Sequence, residues 1–108
     1  GNDDGGALSS WYIFSALGLY PIVGSDRYVL SIPQFPKLEL GIGGGVFTIE
    51  AVTAAGEPAA ALLASGYVQS ATLDGKPLAK PELRHSDLKP GSTLRFIIGS
   101  DPVSWGQP

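Results

Sequence analysis

The pattern of apolar and polar positions changes period once along this chain, and the change divides it in two. From Leu8 to Leu19 apolar residues occupy every side of a helical wheel: Leu8, Trp11, Tyr12, Ser15 and Leu19 share one face, while Ile13, Phe14, Ala16, Leu17 and Tyr20 cover the remainder. No charged residue occurs between Gly5 and Ser25. A helix that is apolar all round must be buried all round. The run is far shorter than the roughly 20 residues a membrane span needs, so its predicted place is a protein core. Gly18 followed by Pro21 supplies the stop.

From Tyr28 onward the period becomes two. Val29 to Ile32 reads as a short strand ending at Pro33. Leu38, Leu40 and Ile42 alternate with Lys37, Glu39 and Gly41, and Phe47, Ile49 and Ala51 alternate with Val46, Thr48 and Glu50, so that Gly43-Gly44-Gly45 is the turn of a predicted hairpin. The alanine-rich stretch Thr53 to Gly66 is either a loop or a short surface helix, with Pro58 at its first position and Gly66 past its end. Tyr67 to Leu73 is a strand, Asp74-Gly75 signals a type I′ turn, and Lys76 to Ala79 begins the return. Asp87 to Gly91 is a turn, and Thr93 to Ile98 is the last strand, with Leu94, Phe96 and Ile98 on one face. The expected fold is mainly β: a small antiparallel β-sandwich of five or six short strands preceded by one apolar α-helix.

Length sharpens this picture. The 108 residues are one domain's worth of chain, and covering the helix on all sides asks for more than the remainder supplies, so the chain is expected to be the end of a longer protein. Seven Lys and Arg residues, scattered, with a net charge of -3, offer no phosphate-binding surface and point away from nucleic acid as a partner. Without cysteine there is no disulfide, thiolate nucleophile or cysteine zinc site, and one histidine makes no metal cluster alone.

Candidate chemistry is sparse. Gly43-Gly44-Gly45 resembles a phosphate loop only superficially, since no Lys-Ser or Lys-Thr follows and a strand, not a helix, comes next. His85 beside Ser86 suggests a nucleophilic pair, but adjacent residues in a turn rarely face each other, and a hydrogen-bonded turn histidine is the better expectation. Trp11, Tyr12 and Phe14 suit either a sugar-stacking surface or core packing, with packing favoured on so apolar a helix. Trp105 is expected only to pack. That leaves Asp3 and Asp4, adjacent carboxylates just ahead of the helix. A carboxylate there can cap the first turn. The positive end of the helix dipole also favours its ionised form, which suits a general base that activates water. In an inverting glycosidase such a base works opposite a carboxylic acid roughly 6.5 to 9.5 Å away. The residues by themselves leave cap and base both open.

The stretch Gly1-Asn2-Asp3-Asp4-Gly5, followed by Ser9-Ser10-Trp11-Tyr12-Ile13-Phe14-Ser15-Ala16-Leu17-Gly18-Leu19-Tyr20-Pro21, closely resembles a motif near the C-terminus of the α-mannosidases of glycoside hydrolase family 92. Tyr28-Val29-Leu30, Phe47-Thr48-Ile49-Glu50-Ala51, Ser70 to Pro77, His85-Ser86-Asp87-Leu88, Gly91 to Leu94 and Gly99 to Pro102 follow in that family's order. The resemblance implies a secreted or periplasmic, bacterial, calcium-dependent, inverting exo-α-mannosidase acting on α-linked mannosides such as N-glycan mannans. In that family the Asn-Asp-Asp position supplies the carboxylate that activates water. Asp4 is accordingly the first candidate base, with Asp3 beside it, and Asn2 is given a supporting polar role toward the sugar. Residues 1–21 would be the motif loop and a late helix of an (α/α)6 barrel, and residues 22–108 a C-terminal antiparallel β-region.

Two departures from the family pattern stand out: Ala7 replaces a usual Gln or Glu, and Thr53 to Gly66 replaces a shorter link. The general acid, the calcium ligands and most of the sugar pocket would lie outside this chain, which alone is expected to be inactive and to depend on the rest of its parent chain. A different expectation is a non-catalytic carbohydrate-binding or structural β-sandwich module whose helix docks elsewhere. A third is self-association through an uncovered apolar helix.

Overall fold

A computed structural model describes residues 16–102. Eight strands follow one another: β1 (Leu19–Pro21), β2 (Arg27–Leu30), β3 (Lys37–Ile42), β4 (Gly45–Val52), β5 (Tyr67–Leu73), β6 (Lys76–Pro77), β7 (Glu82–Arg84) and β8 (Thr93–Gly99). They form two sheets, one of three strands in the order β1-β2-β7 and one of five in the order β3-β4-β8-β5-β6. The only other regular elements among the described residues are 3-10 turns at Ala60–Leu62 and His85–Asp87, and helical backbone at Ala16 and Leu17. The rest of the predicted apolar helix lies outside the described residues.

The alternation read from the sequence places the core. Phe47, Ile49 and Ala51 of β4 and Leu94, Phe96 and Ile98 of β8 are all at most 1% exposed, and they meet Leu19, Tyr28, Leu30 and Leu83 of the smaller sheet in one cluster. The opposite positions of the same strands, Thr48, Glu50, Thr93 and Arg95, face outward. Both predicted tight turns form as primed turns. Gly43 and Gly44 (φ 55 and 84) link β3 to β4, and Asp74 and Gly75 (φ 52 and 82) link β5 to β6. Left-handed backbone at both central residues matches the natural twist of a hairpin.

The structure corrects three expectations. First, the sheets are not wholly antiparallel. β8 lies parallel to β4, with Ile49 opposite Leu94 and Ala51 opposite Phe96, while it runs antiparallel to β5 on its other side. The last long strand thus inserts between two earlier ones. Second, the helix does not reach Leu19. Gly18 adopts φ +79, and Leu19, Tyr20 and Pro21 pair with Leu30, Val29 and Tyr28 as a strand. Proline is accommodated because it sits at the end of an edge strand. Third, the return after Asp74-Gly75 is only Lys76–Pro77, and β7 was not foreseen. The alanine-rich segment resolves as a loop with a single 3-10 turn. It is tied back by a bridge from Val52 to Pro58 and by the buried Ala59, whose N–H donates to Ala51 O at 2.9 Å.

Because Phe96 is fully buried at the centre of the five-stranded sheet, Phe96→Ala is expected to cost about 3–5 kcal/mol in urea unfolding. Val23→Ala, at a position 99% exposed, should stay within about 0.5 kcal/mol of wild type. Equal losses at the two positions would contradict the assigned core.

Candidate functional site

Asn2, Asp3 and Asp4 lie outside the described residues, as do Ala7, Trp11, Tyr12, Phe14 and Trp105. What the structure does describe is the point where the segment behind the carboxylates joins the β region. Ala16 and Leu17 are buried, and Leu17 and Leu19 belong to the common core. Two backbone hydrogen bonds fix the join: Gln34 N–H donates to Ala16 O and Ser31 N–H donates to Gly18 O, each at 2.8 Å. Gly18 passes so close to the strand β2 exit that a Cβ there would collide with the carbonyl oxygen of Ser31 and approach the Pro33 nitrogen to 3.0 Å. Its left-handed backbone and the lack of room both require glycine. Beside the join, Ile32, Pro33, Gln34, Pro36, Leu63 and Ala64 line most of an open groove of about 520 Å³ with no titratable group in it.

Several titratable groups of the β region are committed to structure. Asp74 is the clearest case. Its carboxylate accepts from Thr93 N–H and from the Ser92 hydroxyl, both at 2.9 Å, and Asp74 N–H donates to Thr93 O at 2.9 Å. The Thr93 amide first, then Ser92, with smaller help from Lys89 and Lys76, hold its pKa below the ordinary 3.8. Glu50 Oε1 accepts from Arg95 Nε at 3.0 Å and pairs with Nη2 at 2.9 Å across the parallel β4–β8 register. Glu82 pairs with Arg27 at 3.1 Å, and Asp87 accepts from Arg84 N–H at 2.9 Å. A polar groove of about 450 Å³ is lined by Glu50, Thr72, Asp74, Gly75, Thr93 and Arg95, yet both of its carboxylates are already engaged.

His85 does not pair with Ser86. Its Nδ1 shares a 2.8 Å hydrogen bond with Tyr28 Oη, with the rings tilted at 31° and their centroids 6.0 Å apart. Partial burial pushes the Tyr28 phenol above its ordinary 10.0. At neutral pH it is therefore uncharged and structural. The expected turn histidine is found, but its partner, 57 positions away, carried no local signal in the sequence. Asp74 was legible as a turn residue, whereas its grip on Ser92 and Thr93 was not. Gly43-Gly44-Gly45 is a hairpin turn entering β4. Among the described residues no group of three or more His, Asp or Glu is arranged to hold a metal ion.

The class is that of a glycoside hydrolase, of whose catalytic domain this chain is a part. The chain belongs to glycosyl hydrolase family 92, whose catalytic-domain model matches residues 1–100. It is 31% identical over 108 residues to an uncharacterized secreted glycosidase of Arthroderma benhamiae, covering 98% of this chain and 13% of that protein. Among solved structures it resembles the GH92 family glycosyl hydrolase ccman5, with a TM-score of 0.73 and 29% identity over 97% of this chain and 13% of that one. It also resembles a GH92 inverting mannosidase of Bacteroides thetaiotaomicron, with a TM-score of 0.70 and 32% identity over 94% and 13%. A GH92 α-mannosidase of the same organism, in complex with mannoimidazole, gives a TM-score of 0.71 and 27% identity over 95% and 13%. The chain thus spans about 13% of the length of these relatives.

The Asp74 arrangement has a pH signature. A carboxyl whose folded pKa lies below its unfolded value stabilises the fold fully above the unfolded value and loses that contribution as pH falls through the folded one. The urea midpoint of wild type is therefore expected to exceed that of Asp74→Asn above pH 3.8, with the gap closing at lower pH. Asparagine tolerates the left-handed turn position, so the comparison isolates the charge. A gap independent of pH would show that the charge is not what Thr93 and Ser92 hold.

Proposed function

We propose that this chain is part of a secreted, inverting exo-α-mannosidase that hydrolyses α-linked mannosides, including those of N-glycans, and that the chain alone is inactive. The observation that carries this is the family match over nearly the whole chain. It is supported by solved relatives that are mannosidases, one of them inverting and one bound to mannoimidazole, and by a fungal relative described as secreted.

Asp4 is the general base in this scheme. Ionised beside the start of the predicted helix, its carboxylate takes a proton from water as the water oxygen attacks the anomeric carbon on the face opposite the leaving group. The bond from that carbon to the glycosidic oxygen breaks, and a carboxylic acid elsewhere in the parent protein protonates the departing oxygen. The products are mannose of inverted configuration and the free alcohol. Asp3, adjacent in sequence, is the second candidate for the same role, and Asn2 donates a polar contact to the sugar. Calcium is a proposed cofactor of the whole enzyme. The described residues do not form a site for it, and no step here passes through it.

Mannose release by the full-length parent, with calcium present, tests the assignment. Removing a general base costs roughly 10²–10⁴-fold in turnover. Asp4→Asn is expected to show a loss in that range while remaining folded, and Asp3→Asn a smaller one. An Asp4→Asn enzyme nearly as active as wild type would return Asp4 to the role of a helix cap.

A further inference from the structure

We infer that the Asp74-Gly75 peptide is a latent site of spontaneous aspartate isomerisation, held in check by the hydrogen bonds that Ser92 and Thr93 give to the Asp74 carboxylate. The inference is independent of the catalytic reading. Among the described residues, Asp26, Asp87 and Asp101 are followed by Arg, Leu and Pro, whereas Asp74 is followed by glycine. That neighbour matters because the reaction needs the next backbone nitrogen to reach the aspartate side chain, and glycine has no Cβ to obstruct the approach. Both residues are exposed at the tip of the β5–β6 turn, and nothing lies within 4 Å of where a Gly75 Cβ would stand. The Gly75 N–H has no hydrogen-bond partner among the described residues. Turn geometry is what selects the pair, since left-handed backbone at both positions (φ 52 and 82) favours Asp-Gly.

The chemistry needs no other reactant than water. The Gly75 nitrogen gives up its proton and attacks Asp74 Cγ, a carboxyl C–O bond breaks, and the oxygen leaves as water, closing a cyclic imide. Water then reopens the ring. Breaking the bond from nitrogen to Cγ restores aspartate. Breaking the bond from nitrogen to the backbone carbonyl carbon leaves the chain running through the side chain, as isoaspartate with a free α-carboxylate. Water is lost and regained, so the mass does not change. Two features of the fold oppose the first step. Oδ1 accepts from Thr93 N–H and Oδ2 from the Ser92 hydroxyl, both at 2.9 Å, so the side-chain rotation that ring closure requires has to release both bonds. The same bonds favour the ionised carboxylate, whose oxygen is a poorer leaving group than that of the acid. Ser92 is itself buried, which holds its hydroxyl in place. Isoaspartate would add a methylene to the backbone of a tight turn closed by Leu73 and Lys76, and would take the carboxylate away from Thr93. The modification therefore loosens the contact that had restrained it.

Prolonged incubation of the full-length protein at one mildly acidic pH, well below its melting temperature, tests the inference. The readout is isoaspartate on the proteolytic peptide that carries residue 74, separated by chromatography and distinguished from aspartate by backbone fragmentation. Folded wild type is expected to accumulate it at least about tenfold more slowly than the same protein unfolded in urea. Ser92→Ala removes one of the two restraining bonds, and should isomerise roughly tenfold faster than folded wild type, the weight of one hydrogen bond to a charged group in the population of the released side chain. Leu83→Val is the control for general loosening, because Leu83 is buried on β7 in the other sheet. Its rate should stay within about threefold of wild type, since local opening at the turn does not pass through that site. Equal rates in Ser92→Ala and wild type would overturn the inference, as would an equal acceleration by Leu83→Val or a lack of isoaspartate at residue 74 in the unfolded protein. If Ser92→Ala does not accumulate folded, the comparison of folded with unfolded wild type decides: slower conversion in the folded protein supports the restraint, and equal conversion rejects it.

Discussion

The structure depends on the burial of β8 between β4 and β5. Leu94, Phe96 and Ile98 point from that strand into the core, and its two neighbours supply Ile49, Ala51 and Ala71 at the adjoining positions. Small residues opposite a large one let the layers interdigitate, so Ala51 and Ala71, both level with Phe96 in the register, flank the phenylalanine ring. Until β8 arrives, β4 and β5 have no partner on their inner edges. The five-stranded sheet therefore closes only when a segment more than 40 positions beyond β4 has inserted. Such non-local pairing must meet its loop-closure cost before the buried surface repays it.

Several polar contacts serve that insertion. Asp74, at the tip of the β5–β6 turn, reaches across to the first residue of β8 and to Ser92 just before it, so that the hairpin holds the start of the strand that follows it in sequence. On the outer face, Glu50 and Arg95 stand opposite each other in the parallel register and pair. With Arg95 half exposed, that pair fixes register more than it adds stability. Tyr28 and His85 do the same office for the smaller sheet, joining β2 to the turn that follows β7.

Much of this was legible locally. Two tight hairpins, the inward faces of β4 and β8 and the full extent of β5 follow from period-two alternation and turn residues, all of which are properties of neighbours in sequence. What was not legible was either non-local or too short to have a period. The parallel pairing of β4 with β8 leaves no trace in either strand's own pattern. β7 is three residues, Glu82-Leu83-Arg84, and one apolar residue between two charged ones cannot announce a strand. The helix end was misjudged because Leu19 and Tyr20 continue the apolar run without a break. Only Gly18, whose backbone requirement becomes visible once Ser31 is placed beside it, marks the change. As for the candidate site, the carboxylates stood out as adjacent acids ahead of an uncharged stretch, but their role came from family resemblance. No local rule separates a capping aspartate from a base.

With Asp4 as the proposed base, placement and chemistry would be divided along this chain, and there is a physical reason for such a division. A residue that must lose and regain a proton at each turnover needs an environment left free to respond. Four of the eight carboxylates among the described residues are the opposite: Asp74, Glu50, Glu82 and Asp87 are each held by an amide, a hydroxyl or a guanidinium. Tying up those groups makes a region rigid and chemically quiet, which is what an anchor requires. The join at Gly18 converts that rigidity into a fixed starting point for whatever precedes it, since the core accepts Leu17 and Leu19 in one register only. Shifting a strand by one residue would turn Leu19 outward and Tyr20, now exposed, inward. The sheet register thereby specifies where the chain joins the β region.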